Sequence, residues 1–201
     1  MKKLLLTGFV PFLDNPINPT EEIVKALEGQ IIAGFDVVGR VLPVDFAESA
    51  TQCLKHVDEV SPDVVISLGL AAGRSKITPE RIAINCRDGE PDNSGVRLQD
   101  APIDENGPAG YFSTLPIREF VNASIEKGYP AAISNTAGTY LCNNVMYSVL
   151  HKIEQEQLPM RAGFIHIPAS HELALQKSGI PSWSLADLTA AIRAMIEELG
   201  E

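Results

Sequence analysis

The chain predicts an α/β fold of three layers, a largely parallel (mixed) twisted sheet flanked by helices on both faces, within one domain covering residues 1–201. Two observations lead there. Apolar runs of strand length alternate with segments of about 10 to 15 residues whose apolar positions recur at helical spacing. One of those runs, Val64 to Leu70, is continuously apolar, as in strands covered on both faces. At 201 residues the chain is long enough for one well-filled core, and no internal repeat or low-complexity stretch marks a second unit.

Taken in order, Leu4 to Leu6 begin a strand that ends in Thr7-Gly8-Phe9-Val10-Pro11-Phe12. The two lysines and short apolar run at the start are too brief for the core of a secretory signal, so they read as this strand. Asn18 as N-cap, Pro19 in the first turn and Glu21 three residues after the cap predict a helix with a capping-box-like start, running to about Leu27 and stopping at Gly29. Phe35 to Leu42 reads as a strand ended by Pro43, and Phe46 to Val60 as a helix. Cys53 and His56 sit three apart on it, yet no second ligand pair accompanies them. After the central strand, Ile77 to Cys86 reads as another, with Ile82 and Ile84 alternating. Residues 87 to 110 are dense in turn formers and predict a long irregular excursion with room for a hairpin, placed near a site or a subunit contact. A helix over Pro116 to Lys127, a buried strand over Ala131 to Ser134, a helix from Cys142 to about Gln157, a strand over Arg161 to Pro168 and a helix over Ser184 to Leu199 complete the pattern.

Composition removes several function classes. A net charge of −10, with no compensating basic stripe, would repel a phosphate backbone, so nucleic acid is not an expected partner. No apolar stretch reaches the roughly 18 residues of a membrane span. Three cysteines, an odd number without a secretory signal, argue against a disulfide framework and for the cytoplasm.

Ligands of such sheets bind beyond the carboxyl ends of strands, and Gly8-Phe9, Gly69-Leu70, Gly138 to Cys142 and His166-Ile167-Pro168 all fall there. Cys142 sits where a strand is predicted to give way to a helix. The unpaired N–H groups and dipole of a helix start favour a thiolate over a thiol and can hold an oxyanion. A buried structural cysteine beside a helix cap is the other reading of this stretch. His166 is an imidazole in an apolar strand, and Glu80 a carboxylate costly to bury without a partner. Each alone is also compatible with a structural role. Together they supply a nucleophile, a base and an orienting carboxylate, as thiol hydrolases require. No metal ligand set is present in the sequence, and the thiol mechanism requires no cofactor.

Four stretches resemble the pyroglutamyl peptidase I (pyrrolidone-carboxylate peptidase) family. Ser134-Asn135-Thr136-Ala137-Gly138-Thr139-Tyr140-Leu141-Cys142-Asn143, with Tyr147 beyond it, is similar to its cysteine signature. Gly69, Ile77-Thr78, Glu80-Arg81-Ile82-Ala83 and Asn85 resemble its glutamate signature. Thr7-Gly8-Phe9, Pro11-Phe12 and Asn18-Pro19-Thr20 resemble its opening, and Phe164-Ile165-His166-Ile167-Pro168 its histidine strand. The resemblance implies an omega peptidase that removes N-terminal pyroglutamyl residues from small peptides, with Cys142 as nucleophile, His166 as general base and then acid, and Glu80 orienting His166. It also implies a homotetramer.

Pyroglutamate is a neutral lactam without a free amine. Its site must hold an apolar ring and pair one N–H and one C=O. The resemblance places Phe9 and Phe12 at that pocket, with Tyr140 and Leu141 completing its wall. Relatives often carry glutamine where this chain has Leu70, which moves recognition of the lactam here toward backbone groups. Arg81 and Arg87 read as solvated or structural ion-pair residues. Two other activities remain compatible with the residues: a cysteine hydrolase of another small amide, and a ligand-binding or phosphorylase-like domain, although Gly69 to Arg74 lacks the lysine and hydroxyl of a P-loop.

Overall fold

In the structure, a computed structural model that describes residues 1–200, the elements run β1 (Lys2–Phe9), α1 (Pro19–Leu27), β2 (Ile31–Ile32), β3 (Phe35–Leu42), α2 (Ser49–Val60), β4 (Val64–Leu70), β5 (Thr78–Pro79), β6 (Ile82–Ile84), β7 (Gly110–Phe112), α3 (Ile117–Glu126), α4 (Leu141–Glu156), β8 (Arg161–Ile167), β9 (Ala169–Ser170), α5 (His171–Ala174), β10 (Ser182–Trp183) and α6 (Leu185–Glu197). The main sheet has the order β2-β3-β1-β4-β8-β5. Strands β3, β1, β4 and β8 are parallel, and the two short edge strands are antiparallel to their neighbours. Alternate residues of one strand face opposite layers. Leu4 and Leu6 therefore pack with Ile23 and Leu27 of α1, Phe120 of α3 and Ile192 of α6. Leu5 and Val65 pack on the other face with Val57 of α2 and Val145 and Val149 of α4. The expected three-layer α/β arrangement is what these faces build.

Several local expectations are corrected. Asn18 does cap α1, its side chain accepting from the Thr20 N–H at 3.2 Å. Glu21 makes no reciprocal box, and pairs with Lys25 one turn on at 2.9 Å. Helix α2 starts at Ser49, three residues after Phe46, because the Asp45 carboxylate accepts from the Ala47 and Glu48 N–H groups and holds that stretch as a turn.

The expected strands at Ala131 to Ser134 and Ile77 to Cys86 are the largest departures, and they share a cause. The two segments lie side by side, with Ile77 N bonded to Pro130 O, Ala132 N to Ile77 O, Ser134 N to Pro79 O and Arg81 N to Ser134 O. The missing rung is the one Pro79 would donate, and proline has no N–H. The ladder is cut into the isolated bridges Ile77↔Ala131 and Glu80↔Ser134. Beyond Glu80 the chain leaves the main sheet, and Ile82–Ile84 pairs instead with Gly110–Phe112.

That pairing closes the long excursion at its base, and no regular strand forms within residues 85–109. Side chains hold the segment. Asn85 Nδ2 donates to Asp104 O at 2.7 Å, and its Oδ1 accepts from the Ile103 and Asp104 N–H groups. Asp92 accepts from the Phe46, Ser94 and Val96 N–H groups. Tyr147 donates to Pro108 O and Tyr140 to Pro91 O.

Candidate active site

Register brings the first two site residues together. Gly69 at the end of β4 is paired with His166 at the end of β8, and Thr78 of β5 pairs with His166 from the other side. Two residues on, the Glu80 N–H is bonded to Phe164 O, which turns the Glu80 side chain toward His166. Glu80 Oε1 and His166 Nδ1 are 2.7 Å apart. Glu80 is completely buried and His166 nearly so. Arg74, which the sequence marks only as part of a turn, donates from Nη1 to the same Oε1 at 2.7 Å and to Thr78 Oγ1 at 2.5 Å.

Cys142 is the second residue of α4, after a Tyr140 N-cap whose side chain makes no capping bond. Its N–H is among the first-turn donors that have no partner within the helix. Gly138, at φ +78°, supplies the left-handed turn that aims the chain into α4. The cysteine sulfur lies against Gly69: a Cβ added there would meet Cys142 Sγ at 2.9 Å and Phe164 Cε1 at 2.6 Å. Gly69 is thus the space the thiol occupies. Gly69→Ala is expected to lower kcat by about 100-fold, the scale of a misplaced reacting group. Overpacking against Phe164 should also cost about 1–3 kcal/mol of stability. Steady-state kinetics beside thermal unfolding would check both, and a wild-type kcat would show that the sulfur does not depend on this gap.

The electrostatics follow from the contacts. Burial disfavours the charge of Glu80, but the hydrogen bond and charge of His166, with Ser134 and Arg74 nearby, outweigh it and hold the carboxyl below its ordinary range. Burial also disfavours the imidazolium of His166. The negative charge of Cys142 and the Glu80 carboxylate reverse this and push His166 up to about 9.

Phe9, Phe12, Leu70, Tyr140 and Leu141, each singled out in the sequence, line one narrow apolar cleft that ends at Cys142. Val44 and Asn18 complete it, two residues the sequence reading did not assign. Asn18 was visible only as a helix cap, and its amide stays committed to that role: Nδ2 donates to Val10 O and Oδ1 accepts from Thr20. Phe12 and Tyr140 lie 6.4 Å apart, and Phe46 meets Tyr140 edge-on at 5.4 Å. The bond between Thr20 Oγ1 and the Phe9 N–H fixes the β1 end of the wall. Arg81 donates to Asn135 Oδ1 and Arg87 to Pro102 O, so both hold loop segments through neutral acceptors rather than through the expected ion pairs. A larger cleft of about 340 Å³ lies among Val57, Asp63 and Met160, away from Cys142 and without cysteine or histidine. No group of three or more metal-binding side chains occurs among the described residues.

The family model described as pyroglutamyl peptidase matches residues 2–201. Among curated proteins, the chain is 58% identical to a pyrrolidone-carboxylate peptidase of Oceanobacillus iheyensis, with 98% of each chain covered. It is 54% identical to that of Halalkalibacterium halodurans, again with 98% of each covered. Among solved structures, pyrrolidone carboxyl peptidase from Pyrococcus furiosus superimposes with a TM-score of 0.95 at 44% identity, covering 98% of this chain and 97% of that one. Pyroglutamyl peptidase I of Bacillus amyloliquefaciens gives 0.94 at 40% identity, covering 98% and 96%.

Proposed function

Because the chain belongs to the pyroglutamyl peptidase family, we propose that Cys142, His166 and Glu80 are the machinery with which it hydrolyses N-terminal pyroglutamyl residues from small peptides. The observation that carries this assignment is the contact of a fully buried carboxylate with His166 Nδ1 at 2.7 Å, beside a cysteine in the first turn of α4. Glu80 fixes the ring so that Nδ1 faces the carboxylate and Nε2 is left for the reacting groups.

His166, raised to about 9 by its contacts with Cys142 and Glu80, holds as imidazolium the proton it takes from the Cys142 thiol. The Cys142 sulfur attacks the pyroglutamyl carbonyl carbon, and the carbonyl oxygen takes the negative charge. The Cys142 N–H is one donor to it. The second is the Leu70 N–H. Ala71 N bonds Ile167 O on the β8 side, so Leu70 N points the other way, toward β1, past the last rung at Thr7↔Ser67. His166 then gives its proton to the leaving amine as the C–N bond breaks, leaving a thioester. Water, losing a proton to His166, attacks that thioester and releases pyroglutamate and the thiolate.

Ring recognition rests on Phe9, Phe12, Tyr140, Leu141 and Leu70 as apolar walls, with backbone groups pairing the lactam. A pyroglutamyl arylamide should be cleaved at least about 10⁴-fold faster than the prolyl arylamide, because proline leaves the groups that pair the ring carbonyl unsatisfied. Comparing kcat/KM for the two, before and after thiol alkylation under reducing conditions, tests the reading. Equal rates on both compounds would favour a less selective amide hydrolase on the same scaffold. The same family reading carries a single domain over the whole chain, a homotetramer and a cytoplasmic location.

A further inference from the structure

The Cys142, His166 and Glu80 arrangement leaves one charged partner unexplained. Arg74 lies in the turn that follows β4, its N–H bonded to Ala71 O, and its side chain is about one third exposed, with 34% of its surface accessible. The guanidinium reaches inward, and Nη1 meets the Glu80 oxygen that also receives His166. We propose that Arg74 is a positioning residue of the reaction, fixing the Glu80 carboxylate in the one rotation that orients His166 and tempering the charge that the imidazole feels. The inference rests on the assignment of Glu80 and His166 made above.

Three structural features support it. Glu80 Oε2 has no hydrogen-bond partner among the described residues within normal geometry, so the donors that fix the carboxylate converge on Oε1. A carboxylate held by His166 alone could swing its free oxygen toward the ring, and a second, rigid donor on Oε1 opposes that motion. Arg74 is itself fixed by Thr78 Oγ1, and the Thr78 hydroxyl donates in turn to His166 O at 3.4 Å. The turn, β5 and the catalytic strand are thereby joined through a single guanidinium. Finally, Arg74 is not among the residues lining the acyl cleft. A surface arginine needed only for solubility would have no reason to commit a donor to a fully buried carboxylate.

The electrostatic sign follows. The groups facing Glu80 and His166 are Arg74 from the turn, Cys142 from α4, and the Ser134 and Thr78 hydroxyls. Arg74 offsets part of the Glu80 charge. Removing it strengthens the hold of Glu80 on the imidazolium, so the alkaline limb of kcat/KM should move up in pH. It also removes a group that keeps Glu80 ionised, so the acid limb should move up as well.

The test uses the full chain with a pyroglutamyl arylamide and follows kcat, KM and the pH profile of wild type, Arg74→Ala, Arg74→Lys, Arg74→Gln and Glu80→Gln. Arg74→Ala is expected to lower kcat by about 10- to 100-fold, leave KM within about 2-fold and displace both limbs upward. Arg74→Lys should keep the limbs in place and recover part of kcat. A kcat for Arg74→Ala within about 2-fold of wild type overturns the proposal. So does a reduced kcat with unmoved limbs that lysine does not rescue, since that is the behaviour of a purely structural residue. If Arg74→Ala fails to fold, the comparison of Arg74→Lys with Arg74→Gln decides, and identical pH profiles for these two refute the charge role. Full activity in Glu80→Gln would remove the underlying assignment, an outcome distinct from failure of Arg74 alone.

Discussion

Cys142→Ala is expected to lower kcat for a pyroglutamyl arylamide by about 10⁵-fold or more, the scale seen when a hydrolase loses its nucleophile. The fold should persist. The sulfur sits in a gap bounded by Gly69 and Phe164, and exchanging a thiol for hydrogen there leaves only a small void. The cost should stay near about 1 kcal/mol, a shift of a few degrees in Tm. A second consequence separates a lost nucleophile from a damaged site. The charge of Cys142 is the leading influence raising His166, so in the variant the imidazole should titrate well below about 9. Imidazole proton resonances followed against pH would show this. Hydrolysis at the wild-type rate in Cys142→Ala would assign the chemistry to another group.

Glu80→Gln should lower kcat by about 10³- to 10⁴-fold with little change in KM, since the amide can present a donor to Nδ1 and impose the wrong tautomer on His166. The sign of the pH effect is fixed by the contacts. Glu80 helps to raise His166, so its loss moves the alkaline limb of kcat/KM down, opposite to the change expected for Arg74→Ala. Stability follows the same linkage. His166 lies above its ordinary value of 6.5, so its contribution is complete below that pH and is lost as pH rises through about 9. Glu80 lies below its ordinary 4.5, so its contribution is present above that pH and is lost as pH falls. Both dependences should flatten in Glu80→Gln, which urea midpoints at about pH 4, 6 and 9.5 would measure. An unchanged alkaline limb would mean that Glu80 does not act on His166.

Much of this was legible in the residues. Continuous apolar strands and helical periodicity sufficed for the layers, because each marks which faces are covered. The expected acyl-pocket residues converge on one cleft because they sit at or near strand ends and at one helix start, where sequence pattern is informative. What stayed hidden depends on contacts distant in sequence. Pro79 was visible, but its effect was not. Only the pairing of residues 77–81 with 130–134 shows that its missing N–H splits a ladder. Arg74 sits in an exposed turn where an arginine is ordinary, and its inward reach follows from the path of β5 beneath it. Val44 joins the cleft from the end of β3 with no local signal, and Asn18 was fully accounted for by its cap.

The segment of residues 85–109 looks like a loop by its backbone, yet Asn85, Asp92, Tyr140 and Tyr147 bind it at points along its length. Immobilising a residue costs roughly 1–2 kcal/mol of chain entropy, whichever event does it. Here the ordering takes place when the protein folds, before any peptide is bound. On the proposed assignment of this cleft, the wall beside Tyr140 meets its ligand already shaped, and the small contact area of a five-membered ring need not be diverted into arresting a moving chain.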